Sequence, residues 1–271
     1  MDDLARDPQP LRGRTALVTG VSRRAGIGYA ITRRLLAYGA RVVVHHHLAH
    51  DEAQSWGADP GGIAAVLDGL GRTPSAAGAL AGDIDADLAD PAAPARVVAH
   101  AVDVLSHLDV LVCNQARSAP DGALGELDAA ILDGHWAVDA RASILLAQEH
   151  AARHDGRDGG RIVFLTSGQG LGPMPGEVAY AAAKGALDAI TLTLSYQLAG
   201  AGITVNTVNP GPVDTGYGAP DGLAAVGRAF PAGRWAEPDD PARLIAWLVT
   251  DEARWITGQV INTEGGFRRW S

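Results

Sequence analysis

The sequence predicts an α/β protein: a single doubly wound domain, built on a seven-stranded parallel sheet with helices on both faces. Three observations predict it. Short apolar runs such as "RTALVTG" (14–20), "LDVLVCN" (108–114) and "GRIVFLTSG" (160–168) read as strands buried on both faces. Segments with helical spacing separate them, and strands alternating with helices argue for crossover units and a parallel sheet. No internal repeat or second composition regime divides the 271 residues, so one core serves the whole chain.

The elements follow in order. Residues 1–12 read as a polar, proline-containing flexible tail, and 13–271 as the domain. Strand 14–20 leads to Ile27, Ile31, Leu35 and Tyr38 at helical spacing, with Gly39 as a stop. "RVVVHHH" (41–47) is the second strand, completing a strand–helix–strand unit of about 30 residues, as in a mononucleotide-binding half. A loose stretch (48–62) precedes a weak helix near 62–70, and "SAAGALAGDIDADL" holds a third strand of indefinite ends. Helix 94–106 leads to strand 108–114, a long helical pattern covers 126–153, and strand 160–168 follows. Helix 177–200 leads to the sixth strand, "GITVNTVNPG" (202–211). The aperiodic, Pro/Gly-rich 210–238 reads as a functional substrate lid. Helix 239–250 and "GQVINTEGG" (258–266) close the chain.

Composition narrows the function classes. With 22 Lys+Arg against 31 Asp+Glu, a net charge of −9 argues against non-specific binding to nucleic acid or an anionic membrane. The first residues, "MDDLARDPQPLRGR", lack a basic-then-apolar signal pattern, and no run approaches a membrane span of about 18–20 apolar residues. A single cysteine, Cys113, precludes an internal disulfide and fits a reducing cytoplasm.

In doubly wound sheets the ligand sits beyond the carboxyl ends of the strands. Four such ends carry chemistry here: the glycine loop "TGVSRRAGIG" (19–28), "CNQA" (113–116), "TSGQG" (166–170) and "NPGPVDTG" (209–216). Tyr180 and Lys184 are four apart and share a helix face. An ammonium there favours the tyrosinate, bringing the phenol toward the range of a working acid or base. Ser167 is placed to hydrogen-bond a substrate oxygen beside it. Alone, a Y-x-x-x-K pair is commonly an exposed helix pair, and the glycine loop does not follow G-x-G-x-x-G; the combination is the signal.

In that combination the sequence resembles the short-chain dehydrogenase/reductase family over nearly all of residues 13–266. The carrying pieces are "TGVSRRAGIG", "ADLADP", "TSG" with Ser167 thirteen residues before Tyr180, "YAAAK", "NPGPVDTG" and "ITGQVINTEGG". Among its members it is most similar to 3-oxoacyl-carrier-protein-reductase-like ones. The resemblance implies a Rossmann-type fold and hydride transfer between a nicotinamide cofactor and a carbonyl/alcohol pair. Tyr180 would be the general acid in reduction, Lys184 would lower its pKa and hold the nicotinamide ribose, and Ser167 would orient the substrate carbonyl. Gly20, Gly26, Ile27 and Gly28 would form the pyrophosphate turn, and Asp87 and Leu88 would border the adenine, with Asp83 a weaker candidate. Pro210, Gly211, Val213 and Thr215 would line the nicotinamide pocket. Gln169, Met174 and Tyr217, with Glu177 and Trp235, would shape the substrate pocket. Relatives usually form tetramers, so a homotetramer or homodimer is expected.

Three departures qualify this. Two extra residues lie between Gly20 and Gly26, implying a bulged turn. Cys113 replaces the first asparagine of the usual N-N-A-G; it reads as a small buried residue, with Asn114 bracing the backbone. Asp139 stands where the family usually has the asparagine of its proton relay. An ionised carboxylate cannot donate a hydrogen bond, and its charge would raise the pKa of Lys184. It implies either a modified relay or impaired chemistry.

The second strand ends in histidines, with no acid before Asp51 to hold a ribose 2′-hydroxyl. Arg23 follows Ser22 where relatives with T-G-x-S-R bind a 2′-phosphate, so the expected cofactor is NADP(H), held by Arg23 with Arg24 or a histidine such as His45 assisting. Alternate strand side chains face opposite ways, so His45, His46 and His47 are not expected to bind a metal. The expected function is therefore NADP(H)-dependent reduction of a ketone, or oxidation of a secondary alcohol, with secondary metabolism as the expected setting. The alternative is a catalytically weak NADP-binding relative with a regulatory or structural role.

Overall fold

The computed structural model describes residues 7–217 and 227–269. Seven strands form one parallel sheet: β1 (Thr15–Val18), β2 (Arg41–His46), β3 (Leu80–Asp85), β4 (Val110–Cys113), β5 (Gly160–Leu165), β6 (Ile203–Asn209) and β7 (Val260–Asn262). Their spatial order is β3-β2-β1-β4-β5-β6-β7. The chain winds outward from β1 to β3, then crosses back to place β4 beside β1. This reversal opens a crevice at the carboxyl ends of β1 and β4.

The helices are α1 (Ile27–Ala37), α2 (Leu48–Glu52), α3 (Gly62–Gly71), α4 (Ala93–Leu105), α5 (Ala129–His135), α6 (Ala142–Arg153), α7 (Val178–Leu198) and α8 (Asp239–Leu248). Alternation along the strands divides the core. Val18, Val42, Val44, Val110 and Val112 pack on one face against Ile31, Leu35 and Ile245 of α1 and α8. Leu17, Val43, Leu111, Cys113 and Phe164 face the other way, onto Val97, Leu146 and Leu187 of α4, α6 and α7.

Two expectations are corrected, and a third falls partly outside the described residues. Part of the supposed flexible tail is packed: the Leu11 N–H donates to Tyr38 O at 2.9 Å, and the side chain is 1% exposed. Burial of that one leucine outweighs the polar character of its neighbours. The long helical pattern is not one α-helix, because a π-helical turn (Trp136–Arg141) separates α5 from α6. Its wider winding frees carbonyls from the α-ladder, and side chains satisfy two of them. Val138 O accepts from Gln115 Nε2 at 3.2 Å, and Asp139 O from the Ser143 hydroxyl at 2.7 Å. The lid segment is described only to Tyr217 and again from Gly227; residues 218–226 lie outside the described residues.

At the amino ends of the strands, polar groups tie the sheet together. The buried Asp109 carboxylate accepts from the Thr15 N–H (2.8 Å) and hydroxyl (3.0 Å). Arg14 lies 3.8 Å from Asp109 and pairs with Asp251 at 3.0 Å, and Arg161 reaches Asp251 at 3.2 Å.

Candidate active site

The crevice is a cleft of about 810 Å³ whose walls come from the ends of β1, β2, β4, β5 and β6. At one end the glycine loop turns from β1 into α1. Gly20 has φ +71°, which favours glycine. A Cβ on Gly28 would lie 2.6 Å from Asn114 Nδ2 and 2.7 Å from Gly20 O, so no side chain fits there. Asn114 Nδ2 donates to both Thr19 O and Gly20 O at 3.0 Å, fixing the loop onto the end of β4. His45 braces it from β2: Nε2 donates to Ala86 O at 2.8 Å and Nδ1 accepts the Gly20 N–H at 3.3 Å. Burial holds this ring neutral, lowering its pKa to about 4.

At the other end Ser167, Tyr180 and Lys184 line the cleft together. Asp121, in the loop after β4, accepts the backbone N–H of Ala179 (3.0 Å) and Tyr180 (2.8 Å), fixing the first turn of α7. Lys184 is 2% exposed. Its Nζ donates to Leu165 O (3.1 Å) and Gln115 O (3.4 Å), and lies 5.6 Å from the centre of the Tyr180 ring. Asp139 Oδ1 is 4.0 Å from Nζ.

The electrostatics differ from expectation. Asp139 does favour the Lys184 ammonium, yet burial is the larger effect, and the lysine's pKa is lowered rather than raised. Burial also pushes the Tyr180 phenol above its ordinary range; the charges of Asp139 and Glu177 add to this, while the Ser167 hydrogen bond opposes it.

This arrangement can hold an extended dinucleotide between the glycine loop and Lys184, and present a proton donor to a small molecule. The enoyl-(acyl carrier protein) reductase family model matches residues 20–268. The chain belongs to the short-chain dehydrogenase/reductase family. It is similar to the "Uncharacterized oxidoreductase YjdA" of Bacillus subtilis, 42% identical over 94% of this chain and 96% of that one. A short-chain dehydrogenase from Burkholderia cenocepacia, solved in complex with NADP, superposes with a TM-score of 0.81 at 34% identity, covering 95% of this chain and 98% of that one. The angucycline C-6 ketoreductase LanV, solved with bound NADP, gives 0.80 at 32% identity, covering 95% and 96%.

In this short-chain dehydrogenase/reductase, most residues singled out from sequence reach the cleft. Gly20, Ser22, Arg23, Gly26, Ile27, His45, Asp87, Leu88, Asn114, Pro210, Gly211, Val213, Thr215 and Tyr217 line it. The Arg23 guanidinium lies 5.1 Å from the centre of the Tyr217 ring, and its Nη1 is buried without a partner among the described residues. Tyr217 stacks in turn on Trp56 at 4.3 Å between ring centres.

Others do not. Arg24 points away, because the Asp59 carboxylate accepts its backbone N–H (2.7 Å) and its Nε (2.8 Å). Gln169 is turned toward α7, donating from Nε2 to the Thr166 hydroxyl (3.0 Å) and Asp188 (2.5 Å). Met174 sits in a turn where the Glu177 N–H donates to its carbonyl at 3.0 Å, and neither it, Glu177 nor Trp235 lines the cleft. Gly28 lies behind the loop rather than on its surface. Asp139 is buried beneath Lys184 and outside the cleft. Among the histidines, His45, His47 and His50 line the cleft, whereas His46 faces Asp83 at 2.9 Å.

Sequence reasoning missed Asp121 and Gln115. Asp121 caps a helix that begins 57 residues later, so local capping patterns do not reveal it. Gln115 Nε2 bonds the Ser143 hydroxyl at 2.9 Å as well as the π-turn; its polarity beside a buried strand end was the available signal.

Proposed function

We propose that the protein is an NADP(H)-dependent oxidoreductase that reduces a ketone, or oxidises the corresponding secondary alcohol, at Ser167, Tyr180 and Lys184. The observation that carries this reading is the convergence of a hydroxyl, a phenol and a buried ammonium on the end of a cleft that begins at the glycine loop.

The residues present fit a nicotinamide dinucleotide. The turn at Gly20 and Gly28 leaves no room for a side chain, and the helix it opens favours an anion at its amino end. The Arg23 Nη1, unpartnered among the described residues, supports a 2′-phosphate on the adenosine ribose. Pro210, Gly211, Val213 and Thr215 would surround the nicotinamide. The bound cofactor supplies the hydride.

The chain's own groups do the rest. Ser167 donates a hydrogen bond to the substrate carbonyl oxygen and fixes it beside the phenol. Tyr180 donates its proton to that oxygen as negative charge develops there. Lys184, anchored on two backbone carbonyls, keeps a positive charge beneath the phenol and opposes the effect of burial on the tyrosinate. The NADP-bound Burkholderia protein and the LanV ketoreductase support the cofactor and the carbonyl chemistry.

The test is oxidation of NADPH against a panel of ketones, diketones and acyl thioesters, with Tyr180→Phe as the comparison. Turnover in the native protein, cut by at least about 100-fold in the variant, is expected for loss of a positioned acid. Tight NADPH binding with no turnover across the panel would instead favour the catalytically weak relative that Asp139 raised.

A further inference from the structure

Asp139 has a partner the sequence did not single out. Both it and His135 are 0% exposed, and they lie four residues apart across the junction of α5 and the π-turn. Asp139 Oδ1 accepts the Arg117 N–H at 2.8 Å, and Oδ2 lies 3.2 Å from His135 Nδ1. The other ring nitrogen, Nε2, lies 2.9 Å from the carbonyl oxygen of Pro120. Both nitrogens therefore face groups that only accept when the carboxylate is ionised. A neutral imidazole has a single N–H, so one of these contacts would set lone pair against lone pair in a dry interior.

We propose that His135 is held as an imidazolium, and that the buried His135–Asp139 pair replaces the neutral amide usual at this position without adding net charge. His135 is then a positioning residue. It acts through Asp139 on the Lys184–Tyr180 site, which here rests on the reading of those two residues as the proton-transfer pair.

The surroundings agree. Asp121 Oδ2, from the loop after β4, is 3.9 Å from Nε2. From α7, the Tyr180 ring stands edge-on at 6.0 Å between centres, and Glu177 adds a further negative charge at the helix head. The opposing cations are the Arg117 guanidinium, packed over Gly134, and Lys184 beyond Asp139. Burial disfavours the charged ring, but the bonds to Asp139 and Pro120 and the two aspartate charges prevail, so the His135 pKa is raised above its ordinary 6.5. The imidazolium in turn shields the reacting pair. Without it, the Asp139 charge, which already pushes the phenol upward, is opposed by Lys184 alone of the two cations that flank the carboxylate, and acts more strongly on Tyr180.

Two measurements test this. The first is a nitrogen NMR titration of the imidazole rings in the native protein, with the His135 signal identified by its displacement in Asp139→Asn. Signals of a doubly protonated ring at pH 7.5 are expected, and a single neutral tautomer at pH 7 overturns the proposal. This readout needs neither cofactor nor substrate. An imidazolium in a protein that turns over nothing would sink the functional reading and leave this one standing. The second is the pH profile of alcohol oxidation, which reports formation of the tyrosinate. His135→Asn keeps a donor for Asp139 but loses the charge. It should move the profile upward by about one pH unit, lowering kcat while KM changes less than about twofold. In an Asp139→Asn background the same substitution should leave the profile in place. Equal losses in both backgrounds, with no shift in pH, would mark His135 as a packing residue and refute the proposal.

Discussion

Replacing Arg23 with methionine tests the cofactor assignment most directly. The guanidinium is already immobilised against Tyr217, 5.1 Å from its ring centre, and its Nη1 is buried without a partner among the described residues. Little side-chain freedom remains to be lost when an anion arrives, so most of the interaction energy appears as affinity. A charge-assisted hydrogen bond contributes roughly 1.5–3 kcal/mol, which corresponds to about a 10- to 150-fold rise in the Kd for NADPH. NADH lacks the 2′-phosphate. It should suffer only from the lost cation–π contact that holds Tyr217, about 0.5–1 kcal/mol and so up to about fivefold. Methionine keeps most of the stem volume, which separates charge from packing. The assay is titration with both nucleotides by enhancement of dihydronicotinamide fluorescence, at low and high salt. Arg24→Ala is the control: its partner is Asp59, so stability should fall while the preference between the nucleotides stays. Equal losses for NADPH and NADH in the Arg23 variant, or native NADH binding as tight as NADPH, would refute the assignment.

Gly28→Ala should abolish measurable nucleotide binding and lower stability by about 1–3 kcal/mol, because its Cβ would meet Asn114 Nδ2 at 2.6 Å and Gly20 O at 2.7 Å; thermal melts and nucleotide titration read both effects. Asp121→Ala should cost about 1–2 kcal/mol by uncapping α7, and should lower kcat by loosening Tyr180, with Asp121→Asn recovering part of each. Acid should destabilise the fold between pH 6.5 and about 4. His45 and His150 are buried with pKa values lowered to about 4, so the unfolded chain binds more protons in that window. Stability is then fully present above 6.5 and is lost as pH falls, by at most roughly 3 kcal/mol per ring. A Tm that stays flat from pH 7 to 4.5 would contradict this, and His150→Gln should flatten part of the slope.

What was legible in the sequence depended on whether the signal was local. The apolar runs of β1, β4 and β5 are wholly buried, and their composition announced them. β3, an edge strand of sequence LAGDID, lies partly exposed and has no clear pattern, so its ends could not be placed. Ser167, Tyr180 and Lys184 were visible because strand end and helix spacing fix them relative to one another. The directions of Arg24 and Gln169 were not, because distant partners, Asp59 and Asp188, set them. The same holds for Asp121. His135 was closer to hand, since its four-residue spacing from Asp139 is a helix-neighbour signal. The sign of the Lys184 shift was misjudged because sequence reveals a nearby charge but not the depth of burial that opposes it.

The polar stitching of Arg14, Thr15, Asp109, Arg161 and Asp251 sits at the end of the sheet opposite the cleft. Two jobs are thereby kept on separate floors of one building. The foundation holds strands in register through the Thr15–Asp109 bonds and the pairing of Arg14 and Arg161 with Asp251, while the upper floor presents donors such as Arg23 Nη1 to a guest in the cleft. Amides at Thr15 and Arg161 should accordingly exchange with solvent far more slowly than those of the loop at Ser22 and Arg23. Rebuilding the upper loops for a different carbonyl compound would then leave the foundation, and the order of the strands it secures, undisturbed.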